Sequence, residues 1–93
     1  MPIKLTLTHT DGSNYPYTLS TSWANGFDNS AVSKRVIESI TESGYTTVLY
    51  FADEDALATY RSDNADAISA VNARKTANSI TVSREVETVE SIP

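Results

Sequence analysis

The sequence predicts a two-layer α+β sandwich: a four-stranded sheet with two helices on one face, in the chain order ββαβαβ. Three observations predict it. Apolar and polar residues alternate over 3–9, 15–21 and 80–90, the period of half-buried strands. An unbroken apolar run, Val48-Leu49-Tyr50-Phe51, reads as a strand covered on both faces. Two stretches with helical spacing and capping residues, 30–43 and 53–77, lie between strands. Helices that alternate with strands favour crossovers of one hand, which places both helices on one side of the sheet. The 93 residues fit a single domain, 1–93.

In the first strand Ile3, Leu5, Leu7 and His9 share one face, and Lys4, Thr6 and Thr8 the other. Residues 15–21 alternate likewise, with Tyr15, Tyr17 and Leu19 together. A two-residue Asp-Gly turn between them would send the two apolar sets to opposite faces. A three-residue loop, Thr10-Asp11-Gly12, with Gly12 in the left-handed position, keeps them together and sets Leu7 opposite Tyr15 and Leu5 opposite Tyr17. Pro16 cannot donate a ladder hydrogen bond, so this second strand reads as an edge or a bulge. Residues 20–29 read as a loop carrying Trp23 and Phe27.

Val32, Val36, Ile37 and Ile40 fall on one helical stripe across 30–43. Asp28 or Asn29 caps its start, Lys34 and Glu38 stand at i,i+4, and Gly44 suits the left-handed residue after its end. Tyr45–Phe51 then reads as the central strand. Asp53 caps the next helix, with Glu54 and Asp55 complementing its dipole. Leu57, Tyr60, Ile68 and Val71 share its face. Ser62-Asp63-Asn64 interrupts it, giving a kink or two short helices. In the last strand Ile80, Val82 and Val86 point inward, and Thr81, Ser83, Glu85 and Glu87 outward. The sheet face away from the helices then carries threonines with part of the apolar central strand at its middle. Pairing of two copies through that face would cover it.

Composition narrows the function. The formal net charge is −5, and residues 53–93 hold four basic and eight acidic side chains. An acidic chain without a basic run is a poor match for nucleic acid or for anionic membrane surfaces. Moderate negative charge chiefly keeps a small protein soluble. No apolar run spans a bilayer, and the N-terminal residues lack the layout of a signal peptide, which makes the cytoplasm the default location. Cysteine is absent and His9 is the one histidine. Phosphate loops, zinc-protease motifs and nucleophile elbows are absent too. No cofactor is implied.

The segment Thr47-Val-Leu-Tyr-Phe-Ala-Asp-Glu-Asp-Ala-Leu-Ala-Thr-Tyr-Arg-Ser-Asp, followed by a helix and Ser79-Ile-Thr-Val-Ser-Arg-Glu-Val-Glu, resembles the second half of dimeric ferredoxin-like α+β barrels of the antibiotic-biosynthesis monooxygenase-like type. The resemblance covers residues 45–90 and is a pattern of elements: a strand, an acid-started helix and a final edge strand. It implies a ferredoxin-like two-layer sandwich and a dimer, and leaves activity open. That family has two strands between its helices, whereas this reading has one, with a hairpin first. No active-site residue of the family is carried over.

Six residues are candidates for chemistry. His9, with Tyr15 diagonal to it, is a possible general base, although a lone histidine at a strand end is more often hydrogen-bonded and structural. Arg84 alternates with Ile80, Val82 and Val86 and so points at the helix layer. There it needs a carboxylate (Asp63, Asp66 or Glu54), an anionic ligand, or a bulge that turns it to solvent. Tyr60 stands near it in a pocket between sheet and helices. Trp23 and Phe27 offer a recognition surface, or plug the end of the core. Asp53-Glu54-Asp55 is explained by capping, and no metal site is expected.

Three functions follow. The first is a non-catalytic binding or assembly module acting as a homodimer. The second is a small cofactor-free oxygenase or isomerase of the dimeric α+β barrel type, its pocket lined by His9, Tyr15, Tyr60 and Arg84. The third is an acidic inhibitor that binds a basic groove on a protein partner.

Overall fold

A computed structural model describes residues 1–11, 30–41, 44–77 and 79–93. They form β1 (Ile3–Asp11), β2 (Val32–Thr41), β3 (Gly44–Phe51), α1 (Glu54–Asp63), α2 (Ala65–Ala77) and β4 (Ile80–Thr88). The strands make one sheet in the order β2-β3-β1-β4, every neighbouring pair antiparallel. The class is α+β, a four-stranded sheet with two helices.

The predicted helix over 30–43 is instead strand β2. Its stripe was ambiguous, because Val32, Val36 and Ile40 are four apart, a spacing that fits a helical turn and a pleat equally. Half of β2 is β-branched (Val32, Val36, Ile37, Ile40 and Thr41), which favours the pleat. A bulge between Val32 and Lys34 then splits the stripe. Val32 and Ile37 stand beside Phe51 and Thr47 on the helix face, whereas Val36 stands beside Val48 on the other. The chain order is therefore not ββαβαβ: α1 and α2 follow one another between β3 and β4.

The predicted partner strand 15–21 lies outside the described residues, as do Tyr15, Trp23 and Phe27. Both edges of β1 are nevertheless occupied. Leu7 stands between Thr47 of β3 and Arg84 of β4, and Leu5 between Leu49 and Val86, so neither has a tyrosine of a hairpin opposite it.

Gly44 does not end a helix. It opens β3, paired with Thr10 and Thr41. A Cβ at this position would collide with the main-chain oxygen of His9, so the strands meet here only because glycine has none.

β3 is buried along nearly its whole length, as its apolar run requires. Asp53 caps α1, its carboxylate accepting from Ala56 N at 2.8 Å. At the break, Asn64 Nδ2 donates to the Tyr60 carbonyl at 3.0 Å, ending α1, and α2 starts one residue later. The core lies between sheet and helices, where Ile3, Leu5, Leu49 and Phe51 meet Leu57 and Tyr60. The rings of Phe51 and Tyr60 tilt against each other with centroids 5.4 Å apart.

On the opposite face Val48 and Tyr50 are buried within the single chain, while Thr8, Thr81 and Ser83 are exposed. After β4, Val89 N donates to Pro2 O, and Lys34 Nζ of β2 donates to Pro93 O at 2.8 Å. The last five residues thus carry the chain from the β4 edge of the sheet to its β2 edge. Among the described residues no helix is long and apolar enough to cross a membrane.

Candidate functional site

The antiparallel register brings His9 opposite Tyr45 on one side and Val82 on the other, all facing the helices. The His9 and Tyr45 rings stack, centroids 4.3 Å apart and planes 17° from parallel. α2 lies above this end of the sheet. Asn72 and Lys75, three residues apart on α2, share its sheet-facing side. Lys75 Nζ reaches His9 Nε2 at 2.9 Å, and Asn72 Oδ1 accepts from the Arg84 guanidinium at 3.0 Å.

Lys75 is 7% exposed and His9 3%. Lysine is among the residues least often buried, and then almost always with an acid. Here, among the residues whose side chains are described, no carboxylate pairs with Lys75 or with Arg84. An ammonium can only donate, so His9 Nε2 accepts and the ring proton sits on Nδ1. Among the described residues, Nδ1 has no hydrogen-bond partner of good geometry, and neither has the buried Tyr45 hydroxyl.

Electrostatics follow from this arrangement. Burial, and then the Lys75 charge, push the His9 ring down to about 4, so it is neutral at pH 7. Weak help from the nearby Tyr45 and Leu7 backbone does not offset them. Burial also pushes the Lys75 ammonium down to about 8, with the Arg84 guanidinium adding to the effect. Burial raises the Tyr45 phenol to about 12.

Lys75 and Arg84 line one open groove of about 620 Å³ with Asn72, Thr76, Ser79 and Thr81. Ser79, which also lines the groove, holds a positive φ of 63° in the turn from α2 into β4. Two cations, an amide and three hydroxyl-bearing residues thus meet at one place on an acidic protein. A small anion with oxygen acceptors matches that set.

The residues singled out in the sequence fare unequally. Arg84 does point toward the helix layer, but its partner is Asn72 rather than Asp63, Asp66 or Glu54, and it remains exposed. His9 is buried and bonded to a side chain. Tyr60 packs in the core beside Phe51 and does not line the groove. Lys75 was missed: in the sequence it is one polar residue near the end of an Ala-rich helix. Its spacing of seven from Ile68, two helical turns, was the available signal. Among the described residues there is no group of three or more His, Cys, Asp or Glu able to hold a metal.

Comparison with protein-family models, curated proteins and solved structures finds no match.

Proposed function

We propose that this protein is a small binding module whose ligand is an anion held between Lys75 and Arg84. The observation that carries the reading is the buried Lys75 ammonium. It lies on a groove beside a second cation, with no acid among the residues whose side chains are described to compensate it. An isolated buried charge is costly, and an anion in the groove removes that cost.

Amide chemical shifts during a titration with inorganic phosphate at constant ionic strength test this. Saturable shifts confined to Asn72–Arg84 and His9 are expected. Shifts that never saturate, or that spread evenly over the surface, would refute it.

The finer fold reading supports an enzymatic alternative. The strand order β2-β3-β1-β4, with α1 and α2 linking β3 to β4 on either side of β1, supports a ferredoxin-like reading of the sheet. Two strands, β2 and β3, also run consecutively before α1, which narrows the departure noted for the dimeric α+β barrel family. His9 and Arg84 stand on the same end of the same sheet face, as that alternative needs. The groove is open to solvent, however, and favours binding over chemistry that excludes water. An inhibitor reading gains less. The acids of 53–66 belong to the helical layer and Glu85 and Glu87 to the opposite sheet face, so they form no single acidic surface.

A further inference from the structure

We infer that Lys75 Nζ is a nucleophile that captures small carbonyl compounds bearing a negative group, forming a Schiff base while Arg84 holds the negative group. The inference rests on the anion reading above and assigns the ligand class.

The geometry supplies each part. Lys75 is buried yet lines the groove, which puts its side chain beside a ligand seated there. Its hydrogen-bond partner is a ring nitrogen at 2.9 Å, an acceptor, and no carboxylate among the residues whose side chains are described fixes it as an ammonium. Arg84 lines the same groove and offers the planar fork that suits a carboxylate or phosphate. Its charge also favours the neutral amine. Desolvation beside another cation is a recognised way to activate a lysine amine.

The step balances without a further reactant. The Nζ lone pair adds to the carbonyl carbon, the N–C bond forms, and the C=O π pair moves to oxygen. A proton leaves Nζ along the hydrogen bond to His9 Nε2. The ring is a weak base and holds it only transiently before passing it to the oxygen. The nitrogen lone pair then forms the C=N bond as the C–O bond breaks, and the departing hydroxide takes the remaining Nζ proton and leaves as water. An amine and a carbonyl give an imine and one water.

Lys4, Lys34 and Lys75 are the chain's three lysines, so the test can be read lysine by lysine. The full chain is treated at pH 7 with cyanoborohydride and either glyoxylate, an aldehyde with a carboxylate, or formaldehyde, an uncharged one. Peptide mapping follows the modification rate of each lysine in wild type and in Arg84→Gln, whose fold is checked by circular dichroism. With glyoxylate, Lys75 is expected to react roughly ten-fold or more faster than Lys4 and Lys34, since each unit of lowered pKa frees about ten times more amine. Arg84→Gln is expected to slow Lys75 with glyoxylate by a larger factor than with formaldehyde, whose rate falls only through the lost help of the Arg84 charge in keeping the amine neutral. A Lys75 that reacts no faster than the other two with either aldehyde overturns the inference, while the phosphate titration judges the anion reading separately. A Lys75 preferred equally by both aldehydes and indifferent to Arg84→Gln overturns the anion-holding role and, with it, the assigned ligand class.

Discussion

Lys75 and His9 form a buried pair of bases whose protonation differs between folded and unfolded chains, and stability must follow. His9 drops from 6.5 to about 4 on folding. Between those values the unfolded chain binds the extra proton, so stability is lost as pH falls from 6.5 toward 4. Lys75 drops from 10.5 to about 8. The unfolded chain again holds more protons in that window, so stability rises as pH climbs from 8 toward 10.5. Tyr45, raised from 10.0 to about 12, works against this above pH 10. Urea unfolding of wild type and Lys75→Met between pH 7 and pH 10 isolates the lysine. Wild type is expected to gain on the variant as pH rises above 8, and parallel pH profiles would mean that Lys75 is not held at a lowered pKa.

At the scale of elements, the β1–β3 ladder positions the site, because it fixes His9 opposite Tyr45 one residue from Gly44. Replacing Gly44 by alanine sets a methyl against the main chain of His9 and Thr10, which no rotamer change relieves. Gly44→Ala should cost about 2–4 kcal/mol in chemical denaturation. It should also disturb the His9–Tyr45 stack, seen as a shift of the His9 ring resonances. A cost below about 0.5 kcal/mol, the range of surface substitutions, would mean that the strands do not meet this closely.

The same elements show what was legible in the sequence. The Val48–Phe51 run marked the central strand because apolar residues on both faces need cover on both. Asp53 marked the start of α1 because its side chain acts locally, and Asn64 marked the break for the same reason. β2 was not legible, since its four-residue spacing fits both periods and a bulge then divides it between faces. Pairing of β1 with β3 and β4 was not legible either, because local alternation says which face a residue takes but not which strand lies beside it. Arg84 was read from alternation alone. For Lys75 the spacing from Ile68 offered its helix face, but the contact with His9, 66 positions away, was not legible.

Across the whole molecule, a net charge of −5 repels small anions, yet the fold gathers Lys75 and Arg84 into one groove. Composition excluded a basic run and said nothing of a basic pair. The groove residues all come from one chain, so the binding reading does not depend on assembly. Pairing through the sheet face is a separate proposal. Its apolar centre, Val48 and Tyr50, is already buried within one chain, so a second copy meets mainly the exposed Thr8, Thr81 and Ser83. That proposal predicts a light-scattering mass near twice 10.1 kDa, reduced to 10.1 kDa by Thr81→Lys. A wild-type mass of 10.1 kDa would remove the dimer and leave the groove untouched.

The most direct measurement compares phosphate affinity in wild type, Arg84→Gln and Arg61→Gln by NMR titration at constant ionic strength. Both variants remove one exposed positive charge, but only Arg84 lines the groove. The account predicts that Arg84→Gln weakens binding about ten-fold, near 1.4 kcal/mol, and that Arg61→Gln leaves it within a factor of two or so. Equal weakening by both, or saturable binding in neither variant nor wild type, would contradict a built anion site between Lys75 and Arg84.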